Sequence, residues 1–345
     1  MDYIDMRSDT VTRPTPRMLA AMAAAELGDD VYGEDPTINR LQEMAAERMG
    51  KEAGLFVPSG TMGNLAAVLT HCGRGDEVIL GNLGHTFLFE GGGIAALGGV
   101  HPYVLPTQPD GTLVLDEVRA AIRPDDPHYP VSRLLTLENT HNRCGGVPLT
   151  ASYMDQVGQL AEETGLKVHL DGARIFNAAV VLGVPAARLA AAADSVTFCL
   201  SKGLCAPVGS VLCGSRDFIA KAKRIRKQLG GGMRQAGVLA AAGIVALEEM
   251  IDRLAEDHAR ARSLASGLAG VPGLLIEHEV PPTNMVFLKL SEEVESSAQQ
   301  VVQKLLEYRV RVGAVGARRF RLVTHYWIDD EGVDRAIQAF AKVLK

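Results

Sequence analysis

Two periods of apolar residues run through the chain. Pro36–Met49, Thr61–His71, Leu115–Ile122 and Ala151–Thr164 repeat apolar positions at helical spacing, which predicts four helices. Between them lie short, nearly continuous apolar runs at Gly54–Val57, Glu77–Gly81, Arg133–Leu137, Lys167–Leu170, Ser195–Leu200 and Gly209–Cys213. Runs this short, alternating with helices, predict strands in parallel crossover units. The expected fold class is therefore α/β, with a mostly parallel doubly wound sheet. After Asp217 the pattern predicts long helices over Phe218–Gln228 and Ala236–Leu268, then a smaller α+β segment from about Pro272. The expected division is a large domain over 1–250, with residues 1–35 contributing to its site, and a small C-terminal domain over 251–345.

Composition narrows the function classes. Apolar residues make up 47% and charged residues 22%, ordinary for a folded globular chain. Lys plus Arg number 35 against 41 Asp plus Glu, a formal charge of -6, which argues against a general nucleic-acid or anionic-membrane binder. The five cysteines, Cys72, Cys144, Cys199, Cys205 and Cys213, form no C-x-x-C pair. They predict neither a disulfide framework nor a structural zinc site, and no metal is expected. The first residues lack an apolar signal core, and no run is long enough to span a bilayer, so a cytoplasmic protein is expected.

In open α/β sheets, ligands bind beyond the carboxyl ends of the strands. The unusual polar residues fall at those ends: Ser59-Gly60-Thr61, His85, Glu138 to Asn142, Asp171 to Arg174, and Ser201-Lys202-Gly203. Taken alone, each has a plain reading. Ser59 caps a helix, Asp171 caps a turn, and Lys202 is a cation at a strand end. Together they describe a different chemistry. A desolvated lysine condenses with a carbonyl cofactor. An aspartate partners a pyridinium nitrogen. Hydroxyls and N–H groups at a helix start hold a phosphate. These are the handles of pyridoxal phosphate.

Longer blocks carry a resemblance. They are Arg7-Ser8-Asp9-Thr10-Val11-Thr12, Gly28 to Pro36, Phe56 to Met62, Glu138-Asn139-Thr140-His141-Asn142, His169 to Arg174, Ser201-Lys202-Gly203-Leu204, Gly230 to Gln235, and Arg321-Leu322-Val323-Thr324-His325. In this order, over essentially the whole chain, the sequence resembles the L-threonine aldolases, pyridoxal-phosphate enzymes of fold type I. The resemblance implies an aldehyde-lyase that cleaves L-threonine or L-allo-threonine to glycine and an aldehyde. It implies that Lys202 holds the cofactor covalently, Asp171 its ring nitrogen, and Ser59, Gly60 and Thr61 its phosphate. Lys227 and Arg234 would help from a neighbouring subunit of a homo-oligomer, a dimer or a dimer of dimers. His85 would stack on the ring. Ser8, Arg174 and Arg321 would bind the substrate carboxylate, Arg174 also lying at the cofactor. His128 would approach the substrate hydroxyl, with Tyr32 nearby and Glu90 in the same network; His128 or His85 would be the general base. The pattern departs from the family at Leu88 and at Tyr326-Trp327, both bearing on the aldehyde pocket.

Rival readings remain at this point. A pyridoxal-phosphate β-eliminating lyase shares the same handles. A cofactor-bearing protein without catalysis would not need Arg174 and Arg321. Gly91-Gly92-Gly93-Ile94-Ala95-Ala96 satisfies the dinucleotide-binding pattern G-x-G-x-x-A, but no apolar strand run precedes it.

Overall fold

The structure is a computed structural model, and it describes residues 3–345. Two compact units emerge. One runs from Pro14 to Ile251; the other joins the N-terminal segment through Arg13 to Asp252–Lys345. The expected division placed residues 1–35 with the large domain, whereas the segment through Arg13 clusters with the C-terminal residues.

The larger unit is built on seven strands: β1 (Ala53–Val57), β2 (Glu77–Gly81), β3 (His101–Leu105), β4 (Ser132–Glu138), β5 (Lys167–Asp171), β6 (Ser195–Cys199) and β7 (Ser210–Gly214). Their order across the sheet is β1-β7-β6-β5-β4-β2-β3. The pairs from β6 to β3 are parallel, and β7 runs antiparallel to both β6 and β1. Six strands thus point one way and release their carboxyl ends along one edge. β2, β6 and β7 are buried throughout, as strands covered on both faces require.

The helices start where capping chemistry places them. Asp35 accepts N–H bonds from Thr37 and Ile38 ahead of Pro36–Met49, with proline at the first helical position. Thr150 caps Ala151–Thr164 in the same way. The stretch Ala236–Leu268, expected as continuous, divides into Gly237–Glu249 and Leu254–Ala269. The first is apolar nearly all round and belongs to the larger unit. The second lends Ala261, Leu264, Ala265 and Leu268 to the core of the smaller one. Apolar residues continue through the break, so periodicity alone does not expose it. Sequence reading also missed β3. Pro102 lies within it, and a proline is tolerated there because β3 is an edge strand.

The smaller unit packs helices Leu254–Ala269, Ala298–Glu307 and Asp330–Val343 against an antiparallel sheet. Its strands are β8 (Leu274–Ile276), β9 (Met285–Leu290), β10 (Gly313–Ala314) and β11 (Arg319–Val323), in the order β10-β11-β9-β8. Ile4–Asp5 forms a short parallel pair with Val310–Arg311 in the same unit. Among the described residues no helix is long and apolar enough to cross a membrane.

Candidate active site

The carboxyl edge of the large sheet gathers Ser59, Gly60, Thr61, His85, Asp171 and Lys202 of the expected residues. Beyond β1, Ser59 caps helix Gly60–His71 and accepts the Met62 N–H at 3.2 Å. Gly60 and Thr61 occupy the first helical positions, whose N–H groups have no acceptor within the helix. This leaves donors and the positive end of the helix dipole for an anion. The helix lies hard against the sheet: a Cβ on Gly63 would stand 2.6 Å from Thr197 Cγ2, so only glycine allows this approach.

Close approach lets the next residue, Asn64, reach into the sheet edge. Its Nδ2 donates to Asp171 Oδ2 and to Glu90 Oε1, each at 2.8 Å. Asp171 ends β5 and is buried, and its Oδ1 accepts the Ala173 N–H at 3.1 Å. His85 Nδ1 lies 2.8 Å from Glu90 Oε1. The ligand atoms of His85, Glu90 and Asp171 all fall within 4.8 Å of one another. Glu138 ends β4 in register with Asp171; its two oxygens accept the backbone N–H groups of His85 and Asn142, fixing both loops. Lys202 is half-buried in the turn joining β6 to β7, where its carbonyl accepts from the Cys205 N–H.

Electrostatics couple these groups. The hydrogen bond to Glu90 raises the His85 pKa against the opposing effect of burial; the Asp171 charge adds to the rise, and the Lys202 charge opposes it. Burial raises the Glu90 carboxyl, while hydrogen bonds from His85 and Asn64 hold it back. Glu90 Oε2 is buried with no hydrogen-bond partner.

Two aspartates of the Gly28–Pro36 block grip the last turn of helix Arg216–Gln228 and the segment after it. Buried Asp30 pairs with buried Arg226 at 2.7 Å, and Asp29 pairs with exposed Arg234 at 2.9 Å. Lys227 is exposed in the last turn of that helix. A Cβ on Gly231 would meet Met62 Sδ at 2.1 Å, so the glycine run packs against the first turn of the phosphate-type helix of its own chain.

Other expected residues are placed differently. Arg174 is buried at the start of helix Ile175–Leu182. Tyr32 is 74% exposed. His128 does not join this cluster within one chain. It lies on an exposed loop leading into the amino end of β4, paired with Asp126 at 2.7 Å, and its side chain is 86% exposed. Ser8 and Arg321 belong to the smaller unit. The Ser8 hydroxyl accepts the Thr10 N–H, and Arg321 Nη2 donates to the Arg7 carbonyl at 3.1 Å. Gly93–Ala96 is one helical turn that comes after another short helix, His85–Leu88, rather than a strand, which removes the dinucleotide reading. All five cysteines are buried, and none of them forms a disulfide.

Sequence reasoning missed Asn64, although a lone polar amide in the run Gly63-Asn64-Leu65-Ala66-Ala67-Val68 was the available signal. It also missed Ser195 and His71, which continue the same network. His169, two residues before Asp171 on β5, reaches that carboxylate through Asn64: its Nε2 bonds Asn64 Oδ1 at 3.1 Å.

The donor set fits pyridoxal phosphate. A helix start offers N–H groups to a dianion. Buried Asp171 offers a carboxylate to a protonated ring nitrogen. The orphaned Glu90 Oε2 calls for a further donor, and a lysine amine stands at the same sheet edge.

Comparison with known proteins gives the family. The beta-eliminating lyase family matches residues 5–292. The chain belongs to the beta-eliminating lyases. A low-specificity L-threonine aldolase of Arabidopsis thaliana is 48% identical to this beta-eliminating lyase over 349 residues, covering 100% of this chain and 97% of that protein. The low specificity L-threonine aldolase of Escherichia coli K12 is 47% identical over 328 residues, 95% of each chain. Among solved structures, a threonine aldolase of Leishmania major superposes with a TM-score of 0.83 over 99% of both chains at 20% identity, a likeness of fold.

Proposed function

We propose that this lyase cleaves L-threonine, L-allo-threonine and related β-hydroxy-α-amino acids to glycine and an aldehyde, using pyridoxal phosphate. The carrying observation is the cluster of Asp171, Glu90 and His85 beside a helix start, with Lys202 on the same sheet edge. The cofactor, when bound, supplies the sink for the electrons of the breaking Cα–Cβ bond. The chain's own residues do the rest. Lys202 holds the cofactor through its amine, and Asp171 accepts from the ring nitrogen. Ser59, Gly60 and Thr61 bind the phosphate.

Arg174 and Arg321 are assigned to the substrate carboxylate, since a guanidinium offers paired coplanar donors, and Ser8 is assigned with them. Fixing the carboxylate selects which Cα bond breaks. His85 is the candidate to take the β-hydroxyl proton, since Glu90 raises its basicity. Exposed His128 is assigned to the same hydroxyl from a neighbouring copy, with Tyr32 close by. Exposed Lys227 and Arg234 are assigned to a neighbouring copy's phosphate. The reading therefore includes a homo-oligomer, a dimer or tetramer, and five cysteines outside any disulfide support a reducing cytoplasm.

The test is a substrate panel of L-threonine, L-allo-threonine, L-phenylserine and L-serine, with products identified. Glycine and acetaldehyde from threonine support the aldolase. Release of a keto acid with ammonia instead would select the β-eliminating alternative. Sedimentation at falling protein concentration, with cofactor occupancy followed in parallel, tests the oligomer; a monomer keeping full cofactor and activity would remove the cross-subunit assignments.

A further inference from the structure

Behind Asp171 runs a line of buried polar side chains that the reaction does not touch. Asn64 is 1% exposed, and His169 and Ser195 are 0% exposed. His71 Nε2 lies 2.8 Å from Ser195 Oγ, Ser195 Oγ lies 2.9 Å from His169 Nδ1, and His169 Nε2 lies 3.1 Å from Asn64 Oδ1. Asn64 Nδ2 then meets both Asp171 and Glu90. His71 is stacked on Phe218 at 4.5 Å, at the tail of the helix whose head is Gly60.

The direction of every bond is set by the last one. Two carboxylate oxygens face one atom of the Asn64 amide, so that atom is the NH2 nitrogen and the carbonyl oxygen faces His169. His169 Nε2 must then carry the hydrogen. Burial holds the His169 pKa down to about 3, so the ring is neutral and Nδ1 is a bare acceptor. Nδ1 takes the single Ser195 hydroxyl hydrogen. Ser195 Oγ, its hydrogen used, accepts from His71 Nε2, and burial keeps that ring neutral as well, near 4. All four links donate toward the carboxylates, and aligned donors polarise one another.

We infer that Asn64, oriented by His169 and through it by Ser195 and His71, is the positioning residue that seats the Asp171 and Glu90 carboxylates for the cofactor ring. The inference rests on the function proposed above. Two carboxylates side by side repel, and a shared amide NH2 is what holds them together without supplying a proton. Since Gly60, Thr61 and Asn64 stand within the first turns of one helix, the same rod also sets the separation between the phosphate cup and the ring-nitrogen carboxylate.

The first test needs no cofactor. In apo protein labelled with 15N-histidine, with the two signals assigned by loss in His71→Phe and His169→Gln, both rings should be neutral and protonated at Nε2 at neutral pH. An Nδ1-protonated His169 overturns the inference. The second test titrates apo protein with 15N-labelled pyridoxal phosphate and reads both affinity and the ring-nitrogen shift. Asn64→Leu should weaken cofactor binding about 10- to 100-fold, the scale of lost outer-shell support, and move the nitrogen shift toward the unprotonated value. His169→Leu should move both in the same direction by less, and His169→Gln, which keeps an N–H at the Nε2 position, should recover most of the loss. Folded variants with wild-type affinity and shift overturn the inference. If Asn64→Leu does not fold, the His169 pair decides: Leu and Gln variants of equal affinity overturn it. A wild-type chain that binds no pyridoxal phosphate would overturn the proposed function and this inference together. A wild type that binds cofactor and cleaves threonine, with unresponsive variants, overturns this inference alone.

Discussion

Two sets of buried carboxylates sit on opposite edges of one sheet and are compensated in opposite ways. At the amino edge, Glu77 is wholly buried at the first residue of β2. Ser132 donates to it at 2.9 Å, His101 approaches at 3.1 Å, and the Arg123 guanidinium lies at 3.4 Å between the rings of Tyr103 and Tyr129. A fixed cation is built in. At the carboxyl edge, Asp171 and Glu90 share a neutral amide and one titratable histidine, and Glu90 Oε2 has no partner. The first arrangement is complete and stabilises the fold. The second is short of donors and positive charge, and so has capacity left for a protonated ring. Burial of a carboxylate is common to both; what separates structure from function is whether the chain supplies the counter-charge itself.

The comparison can be broken most severely at Lys202. Lys202→Ala should lower threonine cleavage by on the order of 10⁴-fold or more while leaving thermal stability unchanged, because no other amine stands ready in the turn. Steady-state kinetics on purified variant checks this, and near-wild-type turnover would sink the site.

At the other edge, Glu77→Ala should destabilise the fold by about 2–4 kcal/mol in urea titrations. This falls at and below the low end of the cost of stripping a buried pair, because the Arg123 side chain is 28% exposed and keeps its aromatic neighbours. Activity of the folded fraction should not change. A variant with normal stability but poor turnover would reverse the two roles.

The buried histidines give the next effect. His71 and His169 titrate near 4 and 3 in the fold, below the unfolded value of about 6.5. As pH falls below about 6.5 the unfolded chain gains protons that the native state refuses. Stability is then complete above that pH and is lost progressively toward 4 and 3, with a slope of up to about 1.4 kcal/mol per pH unit for each histidine. Urea unfolding at a series of pH values measures the slope, and His71→Phe should reduce it. An unchanged slope would place the acid sensitivity elsewhere.

Glu90→Gln should cost about tenfold in kcat/KM, as outer-shell changes do, and move the acid limb of its pH profile to lower pH, because His85 loses the partner that raises it. A profile that stays in place would separate His85 from the rate. Smallest in stability terms is Arg234→Ala. Its pair with Asp29 is 53% exposed on the arginine side, so the loss should be under ~1 kcal/mol by thermal unfolding. A several-fold loss of cofactor affinity, read by titrating the apo protein, is the signature that sharpens its assignment to phosphate.

Much of this was legible in the sequence, for reasons that can be named. Helix Pro36–Met49 carries its start in Asp35-Pro36 and its stop in Gly50, and Ala151–Thr164 carries them in Thr150 and Gly165, so both ends of each agree with the structure. Asp171 and Lys202 were findable because each stands within two residues of the end of a short apolar run that reads as a strand. Asn64 stood out only as a lone amide in an apolar run; its partners depend on Gly63 letting a helix meet Thr197, a distance no pattern encodes. His128 was named by resemblance alone, and its position at the amino end of β4 is set by topology rather than by local sequence. The break between Glu249 and Leu254 escaped because two separate cores each want an apolar helix, and the pattern runs on across the change of core.

Each residue added to an α-helix rotates every later side chain by about 100° around the axis. Helix Gly60–His71 bears its anion-facing start at Gly60, its amide at Asn64 and its imidazole at His71. A single insertion after Thr61 would leave the start in place and swing the amide away from Asp171; a deletion would do the same in the other sense. The segment is therefore held to its length as firmly as to Gly63, Asn64 and His71. New substrate preferences in such a protein have to come from lengthening or shortening the loops around the sheet edge, while this one rod keeps its count.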